Sequence, residues 1–440
     1  MAEQIVNHQC LCCCAPLRFD GQSGKLVCDY CDSTFDVAEV EQTYKEQEER
    51  AAENMARQEA SQWETDNMSE DWGTEAEGMK SYTCPSCAAE LICDETTAAT
   101  CCPYCGNQTV IPGQFAGTLK PEFVIPFKTD KNAAIAALKK HYKGKKLLPD
   151  SFVDGNHIEE IQGVYVPFWM FDAVAEGDMR FHATTSTKKK TGDTETTTTK
   201  HYDVHRKGNM AFEKVPVDAS SRMPDAHMDS IEPFNYEELK PFSTAYMPGF
   251  LADKYDVDTE ECGKRMEERC KDALQAAMTD SVTGYDTKQV SEKYLFVNKG
   301  DVHYAMLPVW MLSTKWNDQN FLFAMNGQTG KLTGDLPMDK KKYFKYLFVT
   351  AAVLLAVFAL LSVVGMIAFS IKFSLIAFVI FNLLLPFIIA FLRVSAMKAQ
   401  LKSVVTSNAS HYVDKKGLDL TDKSDRFVRS TTRTRKIQQK

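Results

Sequence analysis

Two cysteine quartets repeated at a fixed offset, a long stretch of mixed strand and helix patterning, and two uncharged apolar runs near the end predict a multidomain chain. The class is two small β zinc ribbons, an α+β globular domain and a C-terminal two-helix transmembrane hairpin. Its divisions are a first ribbon at 1–38, an acidic helical spacer at 39–79 and a second ribbon at 80–118. The α+β domain follows at 119–336, the hairpin at 343–393 and a basic tail at 394–440. A chain of 440 residues has room for about three domain-sized units.

The first quartet is Cys10, Cys13, Cys28 and Cys31; the second is Cys84, Cys87, Cys102 and Cys105. Every member of the second lies 74 residues beyond its counterpart, which marks an internal repeat. A Cys-x-x-Cys turn presents two sulfurs to one ion, and two such turns complete a tetrahedron. Tetrahedral sulfur sites take zinc or iron, and zinc is favoured, two ions per chain. Four protein ligands leave no open position, so the expected role is to hold a small domain together. Cys12, Cys14 and Cys101 adjoin the chosen ligands and could replace one by a slip of register. Cys93, Cys262 and Cys270 read as buried or free thiols. The opening MAEQIVNHQC has no basic and apolar leader, which favours reduced, metal-binding cysteine over a secreted disulfide scaffold.

Between the quartets, Val37 to Glu64 lacks Gly and Pro and reads as a solvated helix, and Asp66 to Glu77 as a flexible acidic linker. Charge is segregated. Residues 1–80 carry 18 acidic and 6 basic side chains, net −12, and residues 393–440 carry 12 basic and 4 acidic, net +8.

In the α+β stretch, Phe123–Phe127 reads as a strand and Lys131–His141 as a helix. Val164–Phe171 and Ala305–Leu312 are buried aromatic strand-like runs that share Pro-x-Trp-Met. Ala183–Lys200 alternates Thr with charge around Gly192-Asp193, as a long exposed hairpin would. Thr259–Thr279 is an amphipathic helix with Cys262, Met266, Cys270, Leu274 and Met278 near one face, and Asn326-Gly327 is a hairpin turn.

Tyr346–Ser370 and Phe373–Leu392 are free of charge, and each is long enough to cross a bilayer as a helix. Only Lys372 separates them from a continuous run. Lys340, Lys341, Lys342 and Lys345 precede the first, and Arg393, Lys398 and Lys402 follow the second. Basic flanks mark the cytoplasmic side, so a two-span cell-membrane protein with both termini cytoplasmic is expected.

The motifs carry a resemblance. Cys84-Pro-Ser-Cys87 and Cys102-Pro-Tyr-Cys105-Gly look like zinc ribbons of the TFIIB or rubredoxin-like type. With Gly163–Asp172, Leu251–Asp258, Leu307–Leu312, Ala324–Gly330 and the terminal apolar pair, the chain resembles bacterial zinc-ribbon membrane proteins similar to YdjG. Such proteins are associated with PspA or SPFH proteins and sometimes labelled replication-restart helicase-like. The resemblance implies a role at the inner face of the membrane, recruiting PspA-like or flotillin-like proteins, and implies no catalytic residues. The first knuckle departs from the pattern, with Leu11 and Cys14 where Pro and Gly would stand.

A helicase motor needs a phosphate loop, Gly-x₄-Gly-Lys-Ser/Thr, and neither Gly327–Leu332 nor Asp20–Leu26 supplies one. Nucleic acid is also disfavoured, since residues 1–38 and 80–118 are net −3 and −2. The Arg426–Lys440 run is either a lipid-contacting segment or a solvated, disordered tail. His201 and His205 share a face and are a weaker metal candidate, and Trp169, Trp310 and Trp316 read as core. The expected function is a non-enzymatic, membrane-anchored adaptor in envelope stress. The alternatives are a membrane-tethered nucleic-acid binder and a rubredoxin-like electron carrier.

Overall fold

The computed structural model describes residues 10, 17–20, 23–29, 33–43, 45–46, 49, 63–65, 68, 72, 79–94, 102–105, 111–114, 119–154, 158–191, 193–317, 319–368 and 380–436. Near the N-terminus a three-stranded antiparallel sheet joins β1 (Arg18–Asp20), β2 (Lys25–Val27) and β3 (Thr34–Phe35). A larger sheet holds β4 (Met79–Thr83), β5 (Glu90–Asp94), β6 (Ile111–Gln114), β7 (Phe123–Val124), β8 (Gln162–Thr191) and β9 (Thr194–Asp218). It continues with β10 (Lys240–Pro241), β11 (Leu251–Asp253), β12 (Thr287–Trp316), β13 (Gln319–Asn326), β14 (Leu332–Thr333) and β15 (Asp419–Lys436). The helices are α1 (Lys131–Tyr142), α2 (Asp150–Asp154), α3 (Asp225–Ile231), α4 (Thr259–Ser281), α5 (Lys340–Ala368) and α6 (Leu385–Ala399).

The frame is set by the 30-residue strands β8 and β12. They pair antiparallel, so that the two Pro-x-Trp-Met runs lie side by side, with Pro308 opposite Tyr165 and Met306 opposite Pro167. Each run is apolar throughout because both faces are covered. Val164, Val166, Phe168 and Met170 pack with Met228, Ile231, Cys84 and Cys93. Tyr165, Trp169 and Phe171 join the opposite cluster, which α4 covers with Cys262, Met266, Cys270, Leu274 and Met278. That spacing of four places one stripe of α4 on the sheet. Asp258 caps the helix, its side chain accepting from the Glu261 amide at 2.8 Å, and Glu260 and Glu261 suit the positive end. Residues of α4 fix the loops around it. Arg269 forms a fork to Glu232 at 2.6 and 3.2 Å, and Tyr412 donates to the same carboxylate at 2.9 Å.

Beyond residue 172 of β8 only one face stays apolar. Ala173, Ala175, Met179, Phe181 and Ala183 are fully or nearly buried, and the residues between them are polar or half-exposed. The β8–β9 hairpin closes at Thr191 and Thr194, where the Thr-rich alternation places it.

Several expectations change. The tail is not a solvated coil over 419–436. It forms β15, which pairs antiparallel with β9 from Asp419 opposite Asn209 to Lys436 opposite Thr194. Alternating Thr with charge suits such a polar strand, but net charge hides that pattern. The second cysteine region is not separate from the α+β domain either, because β5 pairs with β11 at Ile92–Ala252 and Leu91–Asp253. Over the expected Phe123–Phe127 strand only Phe123 and Val124 pair. Residues 37–43, 45–46 and 49 are helical, but Glu64 bridges Asp301 and Trp63 packs on Phe171 at 4.7 Å. In the expected free linker, Trp72 meets Phe242 edge-on at 5.7 Å.

Two helical stretches, Lys340–Gly365 (26 residues) and Ile380–Ala399 (20 residues), are long and apolar enough to cross a membrane. Their apolar side chains face outward, with Leu360 64%, Ile367 78% and Leu392 61% exposed. Ser362 donates to Asn382 at 2.9 Å and Phe358 meets Phe381 at 4.9 Å, so the stretches lie side by side. At their roots Leu347, Ala351, Ala390 and Val394 pack with Trp310, Leu312 and Phe323. Lys372 lies outside the described residues.

Candidate metal centre

Strand β4 delivers Cys84 and β5 leads away from it. The Cys84 amide donates to the Ala89 carbonyl at 2.9 Å and the Ala88 amide to the Cys84 carbonyl at 2.8 Å. This closes a tight turn with Ala88 at φ 57, a left-handed conformation that glycine adopts more readily. The turn points Cys84 and Cys87 at Cys102 and Cys105 of the second knuckle. All four sulfurs lie within 4.8 Å of one another. Cys84 Sγ is 3.7 Å from Cys105 Sγ, and Cys87 Sγ is 3.6 Å from Cys102 Sγ.

These separations fit an ion. Tetrahedral bonds of ~2.3 Å to sulfur set the ligands about 3.8 Å apart, whereas a disulfide needs about 2.05 Å. Cys84 and Cys102 are buried and Cys87 and Cys105 half-buried. Burial pushes the Cys87 thiol up to about 11 and raises Cys102 as well. At Cys84 burial is outweighed by the amides of Cys87 and Ser86, which bring the thiol down to about 7. Four sulfurs so close, largely out of water, can all ionise only around a cation, which is what a metal supplies.

The centre is fastened to the large sheet. Arg222 Nη2 donates to the Ala88 carbonyl at 3.0 Å, and Arg222 Nη1 stands 3.2 Å from Asp256. Lys254 pairs with Glu90 at 3.1 Å. Tyr104, inside the second knuckle, is buried facing Asp253 of β11, whose carboxylate accepts from Ser220 at 2.6 Å. Burial pushes Asp253 up to about 6. Sequence spacing found the cysteines but not these fastenings, which become neighbours only through the β5–β11 pairing.

In the first quartet, Cys10 and Cys28 are buried together with Leu17, Phe35 and Val428 of β15. Cys13 and Cys31 lie outside the described residues, as do Cys12, Cys14 and Cys101. Cys93, Cys262 and Cys270 are buried and free of disulfides. His201 and His205 do not converge. His201 Nδ1 meets His182 Nε2 at 3.1 Å, a pair visible only from strand register, whereas His205 Nε2 bonds Asp178 at 2.7 Å. Burial lowers His182 and His201; His201 and Arg429 lower His182 further, and Arg429 lowers His201 further. Trp169 donates to the Val257 carbonyl and Trp310 to Thr129, both from within the core.

The chain is 33% identical over 311 residues to YdjG, an uncharacterized protein of Bacillus subtilis strain 168, covering 60% of this chain and 91% of that relative. The chain belongs to the YdjG family. No protein-family model matches it, and no solved structure does.

Proposed function

We propose that the protein is a membrane-anchored adaptor that holds partner proteins at the inner face of the membrane, with PspA-like or flotillin-like proteins the first candidates. The observation that carries this reading is the helix pair, two outward-facing apolar helices inserted between strands of one sheet. β9 precedes the pair and β15 follows it, and the two strands share one sheet. The chain on either side of the pair therefore belongs to one compartment. Lys340, Lys341, Lys342 and Lys345 before it, and Arg393, Lys398 and Lys402 after it, support the cytosol as that compartment. On this reading zinc occupies the tetra-cysteine centre as a structural ion, since the four thiolates complete its coordination, and a second zinc sits in the first quartet. Anchoring raises the effective concentration of binding surfaces for partners that work at the membrane.

The test compares a tagged partner's position in cells making three forms. They are the full chain, a form with residues 353–388 replaced by a short Gly-Ser turn, and a form lacking residues 1–45. The partner should be at the membrane with the full chain and should leave it when 353–388 are replaced. Identical localisation of every candidate in all three forms would sink the reading.

A further inference from the structure

One end of the large sheet is unlike the rest. Beyond Thr184 on β8, His201 on β9 and Arg429 on β15, three strands run on with no apolar side chain. Their register builds rungs. Ser186, Thr199 and Thr431 form one, Lys188, Thr197 and Arg433 the next, and Lys190, Glu195 and Arg435 the last. Side chains alternate across a strand, so these rungs and Arg429 share a face with five basic groups and one acid. The intervening rungs hold Lys189, Lys200 and hydroxyls. Hydroxyl pairs replace hydrophobic contacts here, Ser186 with Thr199 at 3.0 Å and Thr196 with Thr434 at 3.5 Å.

Val428 packs with the first cysteine quartet, and beyond it no described strand pairs with the outer edge of β15. Among the described residues β15 pairs only with β9, and the pairing of β8 with β12 ends at Thr184–Thr287. Charge on an edge strand blunts chance pairing, with Lys the usual choice, whereas Arg predominates here. The near half of β15 does mix signs, with Asp419, Asp422, Lys423, Asp425 and Arg426. The far half carries only Arg429, Arg433 and Arg435 before its last residue, Lys436. Arg429 Nε is buried without a hydrogen-bond partner.

We propose that this arm binds an acidic, extended segment of a partner protein, which adds as a strand to the outer edge of β15. Its carboxylates face Arg429, Arg433 and Arg435, and Lys188 and Lys190 strengthen the field. The inference deepens the adaptor reading and rests on it. Anionic lipid is the competing anion, and the vesicle arm of the experiment separates it from a peptide strand. A nucleic acid fits less well, because beyond Arg429 the arm has no aromatic side chain for a base.

The experiment uses the full chain in neutral phosphatidylcholine nanodiscs and a fluorescent peptide of alternating Glu and Thr. Binding should weaken by about tenfold or more in Arg433→Glu/Arg435→Glu. A peptide of alternating Lys and Thr should bind that variant in its place. Lys188→Glu/Lys190→Glu, on the neighbouring strand, should weaken the Glu-Thr peptide too, which guards against unravelling of β15. A Glu-Thr peptide N-methylated at every residue, with the same charge and no N–H to pair, should not bind. Equal binding of the N-methylated peptide overturns strand addition. Unchanged affinity in both variants overturns the site, as does displacement of the peptide by less duplex DNA or fewer phosphatidylglycerol vesicles than unlabelled peptide. Undiminished partner recruitment in Arg433→Glu/Arg435→Glu cells overturns this inference and leaves the adaptor reading standing.

Discussion

The backbone N–H of Leu336 donates to the carbonyl of Leu401 across 2.8 Å. The chain therefore leaves the body and returns to it at one point, and Ser403 reinforces the closure through Gly334 at 2.9 Å. The apolar helices are an insertion whose ends are already tied.

Replacing residues 353–388 by a short turn should thus give a folded protein that needs no detergent. The retained Leu347, Ala351, Ala390 and Val394 still fill the cluster around Trp310. Size-exclusion chromatography without detergent and a cooperative thermal transition check this; aggregation of the shortened form would count against it.

Cys84→Ser should lower bound metal by about one ion per chain, because three thiolates and a hydroxyl make a poor tetrahedral site. The loosening should spread beyond the knuckles. Hydrogen exchange should speed up at Ala252 and Asp253, whose strand pairs with β5. Elemental analysis and exchange mass spectrometry read the two effects separately.

Ala88→Gly should stabilise the protein by up to about 1 kcal/mol, since Ala88 is held at φ 57. Thermal unfolding of the metal-loaded protein measures it, and a lower transition temperature would contradict the argument.

Gly263→Ala should do the reverse of what a helix interior usually shows. Alanine gains about 1 kcal/mol of helix propensity over glycine. Here the new Cβ would stand 2.3 Å from Trp63 Nε1 and must drive the ring off its seat on Phe171 and beneath Lys299. Red-shifted tryptophan emission with lost stability is expected, and an unchanged spectrum would contradict it.

His303 Nδ1 lies 3.0 Å from Glu122, whose hydrogen bond holds the imidazole above its ordinary value. The folded state therefore keeps a proton that the unfolded chain gives up near pH 6.5. This contribution is complete below that pH and is lost as pH rises through the folded value. Glu122→Gln should flatten the fall above pH 6.5, as read from denaturant titrations at several pH values.

The parts legible in the sequence were those governed by local spacing. Cys84, Cys87, Cys102 and Cys105 announce a shared ion because each knuckle is a local turn. Val164–Phe171 announces a strand buried on both sides because nothing in it is charged. Arg222, Asp253 and Tyr104 were not legible, since their roles depend on which strand lies beside β5. The tail was misread for the same reason. Its partner is β9, and a polar strand pairing across so long an interval leaves only a Thr-rich alternation as its trace.

That interval has a consequence for biosynthesis. Asp419 pairs with Asn209 and Lys436 with Thr194, so the outer rim of β9 lacks this neighbour until the ribosome has passed residue 419. The helices must emerge, and on the adaptor reading enter the bilayer, before the last strand arrives. A long, exposed template persists meanwhile, open to wrong pairing with other nascent chains. Loss of β15 would make that vulnerability permanent, so a nonsense mutation at or before codon 419 should give an aggregating product rather than a merely shortened one.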